Sequence, residues 1–359
     1  MMRSASVSKG FPDWANIPCD IFTTHCKQQN AHNSGFDSDC RMAEKEDEDS
    51  NGMRCFCTAS EEKIMERELP EIQGHRCWGT PYGWLITLGI DLQIRFFNPL
   101  SRQSISLPAQ PTFNTFNLDH EKLRRIFIRN ISLSSNPTSP DCIVMAIFSS
   151  RRLLGFAKAG DPAWRTIDIN AAHMLEDVTY FRGSFYALHS KGYLIICQDL
   201  DGPSPKAVEF AKSPVKGYPI KYLVDLGGEL CMIARNINEE YEEGDGVVET
   251  KTWIQTEGFE IFKLDMQCRI WEKMLSLGDR SLFLGNCCTF SVLAADYPNC
   301  NSNCIYFTDD DSLSWYGTGD YDIGIYNCDN KKVLRLPVSD DHEQGFHSKF
   351  SPPLWIHLT

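Results

Sequence analysis

From about residue 75 onward no apolar run is long, and each one stops at a residue that breaks a strand. Phe96-Phe97-Asn98-Pro99 passes through a polar turn to Ser104-Ile105-Ser106-Leu107-Pro108. Val178 to Phe181 and Ser184 to Leu188 flank Arg182-Gly183, while Tyr222 to Leu226 and Glu229 to Arg235 flank Gly227-Gly228. Proline has no ladder donor and pushes the residue before it into extended geometry, so Pro99 and Pro108 limit the strands beside them. Glycine, Asp and Asn accept the turn conformations that other residues avoid. Short runs with period-two patterning between such turns are the signature of antiparallel, all-β structure. Leu118 to Arg129 is the one stretch of this body that reads as a helix candidate.

So many short strands overfill a sandwich. A β-propeller absorbs them as four-stranded blades, and a body of about 280 residues at ~40–50 per blade gives about six. A strand ending at an Asp or Asn turn, followed by a strand carrying Arg or Trp, recurs at 94–107, 154–169, 194–210, 259–274 and 323–336. Trp164 and Trp271 occupy similar places in these modules, which assigns them to packing between blades. The terminal Ser351-Pro352-Pro353-Leu354-Trp355-Ile356 reads as a last strand that closes the ring and removes exposed sheet edges. The polar insertion from Glu239 to Thr252 reads as a surface hairpin or loop.

The N-terminal part reads differently. Trp14, Ile17 and Ile21 are three and four apart, with Phe22 next to Ile21 and Pro18 placed for a first turn, so 11–22 is expected to form a short helix. Residues 27–54 are polar and carry the run Glu44 to Asp49, which repels itself and predicts disorder. Residues 60–69 predict a brief helix ended by Pro70. The chain divides into 1–27, an acidic linker over 28–74, and the propeller over 75–359. Removing residues 1–70 is then expected to leave a folded body.

Charge and cysteines narrow the function. Acidic side chains number 48 against 35 basic, a net charge of -13, which argues against a nucleic-acid partner. No apolar stretch nears the ~20 residues that span a bilayer, so no membrane partner is expected. No signal peptide is readable in residues 1–20, and many of the 15 cysteines (Cys142, Cys197, Cys231) sit in strand-like runs as small hydrophobes. A reducing compartment, cytoplasmic or nuclear, follows. Cys55-Phe56-Cys57, Cys287-Cys288, Cys300, Cys304 and Cys328 lack metal-knuckle spacing. Asp309-Asp310-Asp311, Asp320 and Asp322 read as solvated turns, because a calcium loop alternates its ligands. Gly317-x-Gly319 lacks the strand-to-helix context of a phosphate loop, and the histidines form no catalytic pattern. Arg124-Arg125 and Arg151-Arg152 read as surface pairs, with a docking role left open. No catalytic residue, cofactor or metal is assigned, and no enzyme is expected.

The run from Phe97 to Pro108, Phe181-Arg182-Gly183-Ser184-Phe185-Tyr186-Ala187-Leu188, Tyr222-Leu223-Val224 and Pro353-Leu354-Trp355-Ile356 together resemble the plant DUF295 family, a KIB-type β-propeller. Asn98, Pro99, Leu107, Pro108, Phe185, Tyr186, Pro353 and Trp355 are its structural markers here. The resemblance implies a kelch-like propeller behind an F-box that binds the adaptor of a cullin–RING ubiquitin ligase, with the propeller recruiting a protein substrate. Trp14, Ile17, Pro18, Ile21 and Phe22 resemble the first F-box helix, and Ile17 replaces the usual Leu. Thr23 to Asn30 and the acidic tract then depart from the pattern, so 1–27 is a remnant of a truncated or degenerate F-box. Two alternatives stand beside ligase recruitment: an interaction propeller without ligase coupling, and a propeller enzyme or sugar-binding protein.

Overall fold

The computed structural model describes residues 20–24, 53–57, 64–113, 127–149, 151–169, 174–217, 219–242, 251–285, 288–297, 300–308, 322–335 and 354–356. Strands β1 (Asp20–Thr24), β2 (Met53–Cys57) and β3 (Ile64–Glu68) pair antiparallel in sequence. A four-stranded meander follows, made of β4 (Arg76–Gly79), β5 (Leu85–Leu88), β6 (Ile94–Phe97) and β7 (Ser104–Ser106). Two more meanders are β8 (Ile128–Leu133), β9 (Ile143–Phe148), β10 (Leu153–Lys158), β11 (Arg165–Ile169) and then β12 (Leu175–Phe181), β13 (Ser184–His189), β14 (Leu194–Gln198), β15 (Lys206–Ala211). Next come β16 (Ile220–Asp225), β17 (Leu230–Glu242), β18 (Lys251–Asp265) and β19 (Ile270–Met274). A five-stranded sheet holds β20 (Arg280–Leu284), β21 (Phe290–Leu293), β22 (Cys304–Phe307), β23 (Gly324–Asn327) and β24 (Lys332–Arg335). The last strand, β25 (Leu354–Ile356), lies against β1 with Trp355 opposite Ile21.

This is an all-β propeller of short antiparallel strands, but the described strands form five sheets rather than six blades. The cause is a parallel pairing of β11 with β15, Asp168 opposite Lys206 and Ile169 opposite Ala207. That pairing joins the outer strands of two neighbouring meanders into one eight-stranded sheet.

The N-terminal expectations need correcting. Asp20–Thr24 is a strand, so Ile21 and Phe22 lie in β1 and not in a helix; Trp14, Ile17 and Pro18 fall outside the described residues. Ile64–Glu68 is a strand as well, followed by a single 3-10 turn at Pro70–Ile72. Local helical spacing loses here to the ladder that each segment gains from neighbouring strands. Of the helix candidate at 118–129, residues 118–126 are outside the described set and Ile128 and Arg129 open β8. The polar insertion is a hairpin: β17 runs on to Glu242 and β18 starts at Lys251, paired in register.

Burial explains the patterning. The inner strands β4, β5, β13, β20 and β22 are buried on nearly every residue because neighbouring blades cover both faces. The outermost strands β7, β15, β19 and β24 are largely exposed. Both expected tryptophans pack between blades. Trp164 stacks on Phe113 at 4.4 Å and its indole N–H donates to the Pro108 carbonyl at 2.8 Å, tying the β8–β11 meander to the β4–β7 one. Trp271 joins Phe181, Leu188 and Leu230 in the cluster between the β12–β15 and β16–β19 meanders.

The Asn98 turn is a repeated device. The Asn98 side-chain oxygen accepts from the backbone of Leu100 and Ser101, and its carbonyl accepts from Arg102, which sits at φ 58. Asp265 does the same with Gln267, Cys268 and Arg269, and Asn327 with Asp329, Asn330 and Lys331. In three sheets one Asx turn therefore closes the outer hairpin. The turns at 158–161 and 199–202 in the expected series use other bonds: Asp161 accepts from the Lys158 amide, and Asp199 itself takes φ 58.

Candidate binding site at the propeller axis

The inner edge strands β4, β8, β12, β16 and β21 carry or adjoin every segment that lines an axial cavity of about 340 Å³. Its charged lining is Asp177, Asp225 and Arg280, and no histidine contributes among the described residues.

Two irregularities aim the deepest group. The β8/β9 register slips between Ile128 and Asn130, and the β12/β13 register slips between Leu175 and Asp177. Bulges of this kind bend a strand and redirect the following side chain. After them, Asn130 donates its amide to the Asp177 carboxylate. The same carboxylate accepts from the Val178 amide at 2.8 Å and from the Leu223 amide at 2.6 Å. Asp177 is buried, and it pins β8, β12 and β16 together at the axis. Beside it, Glu176 meets Lys221 at 2.9 Å. Burial pushes the Glu176 carboxyl above its ordinary range, and Lys221 pulls it part of the way back. Asp225 takes the Gly228 amide at 2.6 Å on its carboxylate and the Ser291 hydroxyl at 2.8 Å on its carbonyl.

Chemically this is a place to hold a group. Burial raises both the Tyr82 phenol and the Cys288 thiol, so both stay neutral at ordinary pH. Among the described residues the lining has no nucleophile beside a base. His189 lies elsewhere, stacked on Tyr193 at 4.1 Å with its Nδ1 accepting from the Lys191 amide. Among the described residues no cluster of His, Cys, Asp or Glu could hold a metal ion. The cysteines whose side chains are described, Cys77 to Cys328, are free, and most are buried; burial pushes the thiols of Cys197, Cys231 and Cys328 to about 12.

Of the residues singled out by sequence, Cys288 and Leu223 line the cavity, while the family markers fall outside it. Asn98 and Pro99 make the β6–β7 turn, Leu107 is buried, and Pro108 receives Trp164. Phe185 meets Tyr180 edge-on at 4.9 Å, and Tyr186 packs on Phe181 and Phe210. Trp355 lies in β25; Pro353 is outside the described residues. So are Arg124, Arg125, Asp309 to Asp311 and Asp320. Arg151 is exposed at the β9–β10 turn, as expected of a surface pair. Asp322 is a correction. It is buried, not solvated, and its carboxylate meets Arg235 at 2.9 Å and accepts from the Thr256 amide at 2.7 Å. Arg235 also donates to the Thr308 carbonyl and lies over the Phe307 ring. An ion pair this well bonded can be buried, which an Asp next to an aromatic turn does not announce.

Fold and site together define a β-propeller with a polar axial cavity. Residues 56–327 match the KIB1-4 beta-propeller family model, and the chain belongs to that family. Its relatives in Arabidopsis thaliana include an F-box protein 25% identical over 273 residues, 72% of this chain and 71% of the relative. An F-box/kelch-repeat protein is 26% identical over 208 residues, covering 56% and 52% of the two chains. F-box protein SKIP23 is 26% identical over 225 residues, covering 60% and 53%. The chain thus matches only about half the length of the latter two.

Proposed function

We propose that this chain is a non-enzymatic protein-interaction module of the kind that recruits a substrate to a cullin–RING ubiquitin ligase. The axial cavity carries the reading: its groups bond to one another or stand ready to bind, and none is arranged for attack on a substrate. The F-box descriptions of the relatives support the ligase context. Free, buried thiols support a reducing compartment, cytoplasmic or nuclear. A second reading, an interaction propeller without ligase coupling, is favoured by β1. Ile21 and Phe22 serve the sheet that holds β25, so an adaptor helix over 14–22 would compete with that pairing. Co-purification of the full chain with the ligase adaptor from plant cells tests this. Stoichiometric adaptor supports ligase recruitment. A crosslinked partner without adaptor supports the second reading, and recovery of neither sinks both.

A further inference from the structure

Among the described residues Arg280 is the one cation lining the axial cavity, and they give its Nε nothing to hold. That atom is shut away from solvent with no hydrogen-bond acceptor. Other arginines of the body are committed: Arg235 to Asp322, Arg165 to the carbonyls of Leu200 and Gly202, and Arg182 to the Gly228 carbonyl at 2.6 Å. That last bond takes a carbonyl of the very turn that Arg280 lies against. Yet Arg280 is firmly mounted. It opens β20 opposite Leu293 on β21, its amide donates to Leu277 and its carbonyl accepts from Asn303. Its stem rests on Gly227, at φ 64, where an added Cβ would stand 3.1 Å from Nε. Gly227 covers Nε, so a ligand in the cavity meets the terminal nitrogens of the guanidinium, which make no hydrogen bond to the described residues; a mounted guanidinium with open donors at a cavity of ligand size is an anion receptor.

The surrounding charge selects the anion. Asp177 has both oxygens engaged, and Asp225 has one engaged. Beside two carboxyl side chains a dianionic phosphate meets more repulsion than a monovalent carboxylate, which matches one guanidinium fork. We propose that Arg280 makes the axial cavity a carboxylate-binding site, occupied by a free small acid or by an acidic side chain of a bound peptide. This holds whether or not the chain couples to a ligase.

Calorimetric titration of the full chain with N-acetylglycine, and separately with acetyl-Gly-Glu-Gly-amide, tests it. Binding of either is expected, and the one that binds more tightly identifies the source. Replacing Arg280 by Gln should weaken that binding about tenfold to a hundredfold, with the thermal melt unchanged because no side-chain bond is lost. The neutral analogues N-acetylglycinamide and acetyl-Gly-Gln-Gly-amide should not compete. Should R280Q unfold, R280K keeps the charge and loses the fork, and weaker binding with a normal melt supports the site equally well. Binding unchanged in the folded variant, equal binding of the neutral analogues, or no binding of either acid overturns the proposal.

Discussion

Replacing Asp177 by Ala would strand the Leu223 amide and the Asn130 side chain in a buried place, since both lose the same acceptor. Unsatisfied buried donors cost about 1–3 kcal/mol each, so D177A should lose about 3 kcal/mol in urea unfolding, and Asp177→Asn clearly less. Arg235 and Asp322 give a sharper contrast. R235M alone leaves a buried carboxylate without its cation and should cost about 3–5 kcal/mol, whereas R235M combined with Asp322→Leu should regain much of that loss. A double-mutant cycle on chemical melts reads both. The thiols make a chemical prediction. Below their raised values of about 12 the folded chain keeps Cys197 and Cys231 protonated and covered, while Cys268 is exposed. Mass mapping of iodoacetamide labelling at pH 8 should therefore find Cys268 modified long before the other two.

At the scale of elements, the Asx turn is the unit to test. Asn98→Ala removes an acceptor for two backbone amides and should cost about 1 kcal/mol, with Asn98→Asp nearly neutral. Arg102→Gly should change stability little, because relief of the positive φ offsets a surface ion pair with Glu71. Most strands beyond residue 75 are legible in the sequence, since apolar runs such as Ser184 to His189 and Cys304 to Phe307 end at turn residues whose chemistry is local. Strands β1 and β3 are not. Their partners lie elsewhere in the chain, and their own spacing suits a helix equally well. The site was hidden for a related reason. Asp177 and Arg280 sit in ordinary-looking strand ends, and only the bulges and the turn at Gly227 bring them to one cavity. The fused sheet was equally unreadable, because a two-residue parallel pairing leaves no pattern of its own.

For the whole molecule, the pairing of β1 with β25 decides what truncation does. Deleting 350–359 removes β25, and deleting 1–70 removes β1, β2 and β3. Both truncated chains should melt below the full chain and self-associate with rising concentration through the freed edges, as light scattering would read. The second outcome reverses the expectation that the first 70 residues are dispensable. The same pairing also places a clock on biosynthesis. β1 leaves the ribosome before its neighbour β25, and at ~5–20 residues per second the two emerge tens of seconds apart. Throughout that interval the nascent chain carries β1 with one edge open. A chaperone that shields it would act on every copy, and a stop codon just ahead of β25 would leave a chain that can never close.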